Sequence, residues 1–212
     1  MRTQQHWDQV YATKAVTGVS WFQPEAEQSL RLISAVAPTR DARVLDVGAG
    51  ASTLVDGLLA AGFARPALLD LAAAALDASK ARLGAAAAGV DWYVGDVLTY
   101  PFPPAQFDVW HDRAVFHFLT TPADRARYVS QVRRALKPGG HVVIGTFAED
   151  GPTRCSGLAV CRYSAEALHA EFGDEFHLVT AARETHITPS GAEQRFQYCV
   201  CAWRGALAGA GA

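Results

Sequence analysis

The chain has 212 residues, with 19 Lys and Arg against 21 Asp and Glu, for a formal charge of -2. That balance supplies no field for nucleic acid or an acidic membrane, so a basic-patch function is excluded. Half of the residues are apolar and 19% are charged, a globular composition at a length suited to one domain.

Every apolar stretch is broken by Asp, Gly, Arg or Pro short of the ~18 residues that a bilayer span needs. The opening residues, MRTQQHWDQV, lack a hydrophobic signal core. A cytoplasmic protein is expected, monomer or homodimer, with neither nucleic acid nor membrane as partner. The four cysteines, Cys155, Cys161, Cys199 and Cys201, read as thiols rather than a disulfide frame. Their spacings match no zinc site, so no metal is expected.

In chain order, an aromatic arm comes first: Trp7, Tyr11, Trp21 and Phe22 precede a helix in EAEQSLRLISAV. Aromatics at this density need a surface to cover, either the domain's own edge or a ligand held under a lid. From residue 40 onward a short β-rich run, a turn and a helical segment recur, the signature of a parallel sheet covered on both faces. The first run, Arg43 to Val47, ends in GAGAST before the helical LVDGLLAAG. Pro66 to Leu71 precedes AAAALDASKARLGAAAAG, a helix by composition. The third run is Val90 to Val94, ending at GDV, and the fourth is Phe107 to Trp110. The fifth, His141 to Phe147, follows the helix ADRARYVSQVRRAL, which Lys137, Pro138, Gly139 and Gly140 stop. A long loop, a helix near SAEALHAEF and two strand-like runs, Phe176 to Thr180 and Arg195 to Trp203, complete the pattern. One α/β domain over 1–204 is expected: arm and helix at 1–39, sheet core at 40–150, and loop, helix and last two strands at 151–204, with a flexible tail at 205–212.

Ligands of a doubly wound sheet sit beyond the carboxyl ends of its strands. At the first such end Asp46 precedes Gly48, Ala49 and Gly50. Two glycines two apart let the backbone turn sharply and approach a ligand, and the helix that follows presents free N–H groups. Asp70 closes the second run at the spacing where a carboxylate accepts from both hydroxyls of a ribose. Asp96 closes the third, placed for the amine of an adenine whose ring Leu71 and Val97 would sandwich. Any one of these carboxylates can be a helix cap, but three at successive strand ends are hard to explain that way. A dinucleotide fingerprint wants Gly or Ala where Thr53 stands, and Asp46 would repel a pyrophosphate.

These pieces, VLDVGAG at 44–50, Asp70, GDV at 95–97, FDVWHDRA in the fourth strand and LKPGGHVVIGTF at 136–147, resemble the class I S-adenosylmethionine-dependent methyltransferases. The resemblance implies a Rossmann-like sheet of seven strands, mostly parallel with an antiparallel last strand, with helices on both faces and the aromatic arm as a lid. It implies S-adenosyl-L-methionine as cofactor and S-adenosyl-L-homocysteine as product. Gly48, Ala49 and Gly50 would lie under the methionine part, Asp46 would anchor its ammonium through water, Asp70 would hold the ribose and Asp96 the adenine. Leu71, Val97, Asp112 and Trp21 complete that set.

The family does not fix the acceptor. A small-molecule thiol, amine or hydroxyl is expected, with a protein lysine or cofactor binding without catalysis as alternatives. The motif of base N-methylating enzymes, [DN]-P-P-[YF], is absent after the fourth strand. HWDQVY is similar to the lysine-methylating branch, but HDRAVFHF replaces that branch's Asp-Lys-Gly type of exit. His117 and His111 are the candidate bases, since imidazole titrates in the useful range, although transfer from a sulfonium rests mainly on positioning. Trp7, Tyr11, Phe22, Arg113, Cys155, Arg162, Tyr163 and His186 are expected on the acceptor side.

Overall fold

The structure is a computed structural model and describes residues 4–205. Of the expected tail at 205–212 only Gly205 is described; the rest, with residues 1–3, lies outside the described residues. The arm begins as a helix, α1 (Gln4–Thr13), followed by a 3-10 turn at Val16–Gly18 and by α2 (Glu27–Val36). The core then alternates β1 (Val44–Val47), α3 (Leu54–Ala60), β2 (Ala67–Asp70), α4 (Ala73–Leu83), β3 (Asp91–Val94), β4 (Phe107–Arg113), α5 (Pro122–Ala135) and β5 (Leu136–Phe147). A short hairpin, β6 (Arg154–Cys155) and β7 (Leu158–Ala159), and α6 (Ala165–Ala170) lead to the long pair β8 (Phe176–Ile187) and β9 (Glu193–Trp203).

Seven strands form one sheet in the order β3-β2-β1-β4-β5-β9-β8. The pairs from β3 to β5 are parallel, and β9 runs antiparallel to both β5 and β8. This is the Rossmann-like arrangement with its reversal between β1 and β4, which opens a crevice at their carboxyl ends. Both faces are covered. On one, Leu45, Val47, Trp110, Val142, Ile144, Cys199 and Cys201 pack with Tyr128, Val129 and Val132 of α5 and Leu168 of α6. On the other, Val44, Val109, Val143 and Tyr198 pack with Leu32 and Ile33 of α2 and Leu54 and Leu58 of α3. Strands buried on both faces read as continuous apolar runs, which is why VLDV and ALLD stand out in the sequence.

Three elements run past the boundaries read in the sequence. β4 continues past the apolar run that ends at Trp110 to Arg113, as the resemblance through FDVWHDRA implies, so His111, Asp112 and Arg113 belong to a central strand. β8 runs to Ile187 rather than stopping at Thr180; as an edge strand it exposes Val179 and Ile187 and mixes apolar with polar side chains, so no apolar alternation marks it. The Lys137–Gly140 segment does end α5, yet it bulges out of the start of β5: Phe107 pairs with Leu136, and two residues later Val109 pairs with His141. Gly139 supplies a positive φ of 82° there, and Lys137 anchors the bulge on Asp108 at 2.8 Å.

Candidate functional site

A cleft of about 510 Å³ lies across the carboxyl ends of β1 to β4, roofed by the N-terminal arm. Asp70 closes β2 at its rim. Its Oδ2 accepts from the Gly50 N–H and its Oδ1 from the Ala72 N–H, each at 2.8 Å, so the carboxylate and the glycine turn hold each other. Each carboxylate oxygen keeps a further lone pair for a ligand. Burial raises the Asp70 pKa from 3.8 to about 6, against the lowering effect of those backbone donors. Leu71, Asp96 and Val97 line the same cleft, and Asp96 fixes its own turn by accepting from the Leu98 N–H at 2.9 Å.

The arm enters from above. Trp7 meets Trp21 and Phe118 edge to face, with centroids 5.8 and 5.4 Å apart, and Tyr11 lies over the glycine turn. Gly50 has a φ of 53°, and a Cβ there would collide with the Tyr11 hydroxyl. Burial and the Asp70 carboxylate push the Tyr11 pKa up. Cys155 and Leu158, from the β6–β7 hairpin, close the far wall; burial pushes the Cys155 thiol up to about 11.

Of the expected residues, Trp7, Tyr11, Trp21, Gly48, Asp70, Leu71, Asp96, Val97, Arg113 and Cys155 line this cleft. Others do not reach it. Asp46 and His111 face each other directly across the β1–β4 register, with Asp46 Oδ1 2.6 Å from His111 Nδ1 and the other imidazole nitrogen 2.9 Å from the Ser29 hydroxyl. This buried chain lines a separate pocket of about 50 Å³ under the turn, together with Ala49 and Phe22. His117 is fully buried between the rings of Phe118 and Phe147, at centroid distances of 4.6 and 4.7 Å. Asp112 is also fully buried: it accepts from the N–H groups of Val115 and Phe116 and from the Tyr128 hydroxyl. Its role here is to cap the turn after β4. Arg162 is exposed and donates to the Gly151 carbonyl. Tyr163 belongs to the core, and His186 reaches the Ser20 carbonyl at 2.8 Å, fastening the arm to β8.

Sequence reasoning missed the turn after β4. Ala114 sits at φ 73°, a left-handed conformation that costs a non-glycine residue about 1 kcal/mol. Val115, which follows it, packs its methyl into the space a side chain at Gly48 would need. Ala114, Val115, Leu119, Thr120 and Thr121 all line the cleft, and no spacing in the sequence marks them. The cysteines are all free, and the described residues contain no group of three or more His, Cys, Asp or Glu side chains able to hold a metal.

Residues 44–140 match the family model described as a methyltransferase domain. An Encephalitozoon cuniculi protein named as a methyltransferase is 35% identical over 60 residues, which is 28% of this chain and 29% of that relative's length. Among solved structures, a Haloferax volcanii protein in complex with the Trm112 methyltransferase activator superposes with a TM-score of 0.77 at 17% identity, covering 98% of this chain and all of that one. The Burkholderia thailandensis 1,6-didemethyltoxoflavin-N1-methyltransferase, holding 1,6-didemethyltoxoflavin and S-adenosylhomocysteine, gives a TM-score of 0.68 at 20% identity, covering 94% and 86%. At such identities the structural likeness establishes the fold.

Proposed function

We propose that this chain, whose residues 44–140 match a methyltransferase domain, is a class I S-adenosylmethionine-dependent methyltransferase that transfers the methyl group of S-adenosyl-L-methionine to a small-molecule thiol, amine or hydroxyl. The observation that carries this reading is a single cleft joining two carboxylate-tipped strand ends, Asp70 and Asp96, to a chamber walled by Trp7, Trp21 and Phe118. The residues fit the cofactor. Asp70 would accept from the ribose hydroxyls, Asp96 from the adenine amine, Leu71 and Val97 would flank the ring, and Gly48 would underlie the methionine part, while Gly50, which lies under the Tyr11 hydroxyl and does not line the cleft, would hold Asp70 through its N–H. When bound, the cofactor supplies a sulfonium-activated methyl group whose leaving group is a neutral thioether.

What the chain adds is position and dryness. Neither candidate histidine lines the chamber, and the titratable groups that face it from the arm and hairpin, Tyr11 and Cys155, are held neutral by their raised pKa values. Catalysis therefore rests on alignment of a nucleophile with the methyl group and on exclusion of water by the aromatic arm. His111 instead keeps Asp46 paired under the glycine turn. The aromatic-walled chamber under the arm favours a small acceptor over a protein side chain. It suits a single domain working in the cytoplasm, as monomer or homodimer, where the four thiols stay reduced.

Methyl-labelled S-adenosylmethionine incubated with the pure protein and a bacterial lysate, then fractionated by size, tests this. Label in the small-molecule fraction is the expected result. Label on a discrete protein band would replace the acceptor class, and no labelled product at all would leave cofactor binding without catalysis.

A further inference from the structure

The guanidinium of Arg113 is the least balanced polar group in the cleft. Its side chain is only 10% exposed, yet it lines both the cleft and the smaller pocket beneath it. Nε donates to the Tyr198 hydroxyl at 3.0 Å, and Nη1 reaches the Trp21 carbonyl at 3.4 Å. Nη2 is buried and has no hydrogen-bond partner among the described residues. The Phe196 ring covers one guanidinium face, with Cζ 4.1 Å from its centroid.

The nearest carboxylate does not complete the fork. Glu184 Oε2 lies 3.5 Å from Arg113 Nε, and Glu184 is already committed: Oε1 accepts from the Gln23 amide at 2.7 Å and Oε2 from the Tyr198 hydroxyl at 2.9 Å. Arg113 is thus held on one edge by Tyr198, Phe196 and the arm, while its buried Nη2 is left without a partner. A planar guanidinium prefers two parallel N–H···O bonds to one carboxylate, and a buried donor left empty is costly.

We propose that Arg113 receives a carboxylate inside the cleft, which would make it a specificity-determining residue of the site. This rests on the methyl-transfer reading above and names a substrate class for it. Arg113 pairs with Gly145 of β5 in the register and leans on β8 and β9, away from the β2 and β3 ends that carry Asp70 and Asp96. The chamber on that side is apolar, walled by Trp7, Trp21, Phe118 and Leu158. The acceptor that fits is a carboxylic acid on an aromatic or apolar body. The methionine end of the cofactor carries the same chemistry, and the test separates the two sources.

Calorimetric titrations would use the full chain and the variants Arg113→Gln and Arg113→Lys, with thermal melts to show that each is folded. The first ligands are S-adenosylhomocysteine and methylthioadenosine, which lacks the amino-acid end. The second pair, titrated with S-adenosylhomocysteine bound, is phenylacetate and its uncharged counterpart 2-phenylethanol. The expected result is phenylacetate bound at least tenfold more tightly than 2-phenylethanol, that preference lost in Arg113→Gln and reduced in Arg113→Lys, and S-adenosylhomocysteine bound equally by all three. A tenfold loss of S-adenosylhomocysteine with methylthioadenosine unaffected would uphold carboxylate docking and assign it to the cofactor. Equal behaviour of all three proteins toward both pairs overturns the proposal while leaving methyl transfer intact. Failure of the unaltered protein to bind S-adenosylhomocysteine overturns methyl transfer and the proposal together. If Arg113→Gln does not fold, Arg113→Lys is read alone against the same outcomes, since it keeps the charge and removes the planar fork.

Discussion

Asp70→Asn should separate cofactor affinity from stability. In the folded protein the carboxylate is buried and accepts two backbone N–H bonds. Its pKa of about 6 against an ordinary 3.8 means that ionised Asp70 costs the fold about 3 kcal/mol at neutral pH. Asparagine removes that cost. It also turns one acceptor into a donor facing a backbone N–H, losing a charge-assisted bond worth about 1.5 to 3 kcal/mol. The two effects oppose each other, so the free energy of unfolding by urea should change by less than about 1.5 kcal/mol. Cofactor affinity has no such offset. Loss of one acceptor for a pair of ribose hydroxyls should weaken S-adenosylhomocysteine by about 1 to 3 kcal/mol, roughly 5-fold to 150-fold in Kd. Calorimetry at pH 8, where Asp70 is ionised, reads this directly. Unchanged affinity alongside a loss of several kcal/mol of stability would refute the reasoning, because Asp70 would then serve the turn and not the ligand.

Asp112 shares the burial-raised pKa of about 6. For both groups the folded state holds its proton more tightly than the unfolded one, so their contribution to stability falls as pH rises from about 4 to about 6 and is flat beyond 7; urea titrations at pH 4.5, 6 and 7.5 after subtraction of the surface groups, or simply with Asp112→Asn beside the parent, should show the slope flatten in the variant. S-adenosylhomocysteine affinity should move the opposite way, strengthening as pH rises through about 6, and a Kd independent of pH between 5 and 7.5 would count against an ionised Asp70 as ligand. His117→Phe should retain methyl transfer within about twofold per folded molecule, since that side chain packs between rings away from the cleft; a hundredfold loss would restore it as a base. His111→Ala should cost about 3 kcal/mol in urea unfolding by leaving Asp46 and Ser29 buried without their shared partner, and a neutral result would show that water replaces the ring. In the native protein Ellman's reagent should react slowly with Cys155, Cys199 and Cys201, whose burial raises their pKa values to about 11, 12 and 12; rapid labelling of all three would contradict their packing.

The parts of the site that were legible in the sequence are the ones that local order fixes. A buried parallel strand must be short and apolar, so its end is visible, and a carboxylate there lands at the crevice whatever the helices do; Asp70 follows from this alone, whereas Asp96 follows a half-exposed edge strand and was legible from its Gly-Asp-Val turn. His111 shows the limit. Nothing along the chain says that residue 111 stands opposite residue 46, because that pairing is a register between strands, joining residues 65 positions apart. An imidazole that looks free in sequence is spent on Asp46. Asp112 is hidden for a related reason: polar residues ended the apolar run at Trp110, whereas the strand tolerates them because each finds a buried partner. β8 was cut short because an edge strand needs no apolar alternation.

The same division explains why the reaction is easier to read than the acceptor. The proposed nucleoside end is built from β1, β2 and β3 and the turns between them, all within residues 44–98. The chamber end joins the arm, the exit of β4, the β6–β7 hairpin and the β8–β9 pair, and its fastenings are long: Gln23 holds Glu184 and His186 holds the Ser20 carbonyl. Those contacts tie the first twenty-odd residues to the last sheet pair, with Arg113 between them. Trp7, Trp21 and Tyr11 all come from this arm, and of the three Tyr11 also lies over the glycine turn that Asp70 holds. On the proposed reading, acceptor preference should change by substitution in the β6–β7 hairpin or the β8–β9 pair at constant cofactor affinity, whereas substitution of Tyr11 should alter both. Changes at the β1–β3 ends should lower affinity for the cofactor first, whatever acceptor is offered.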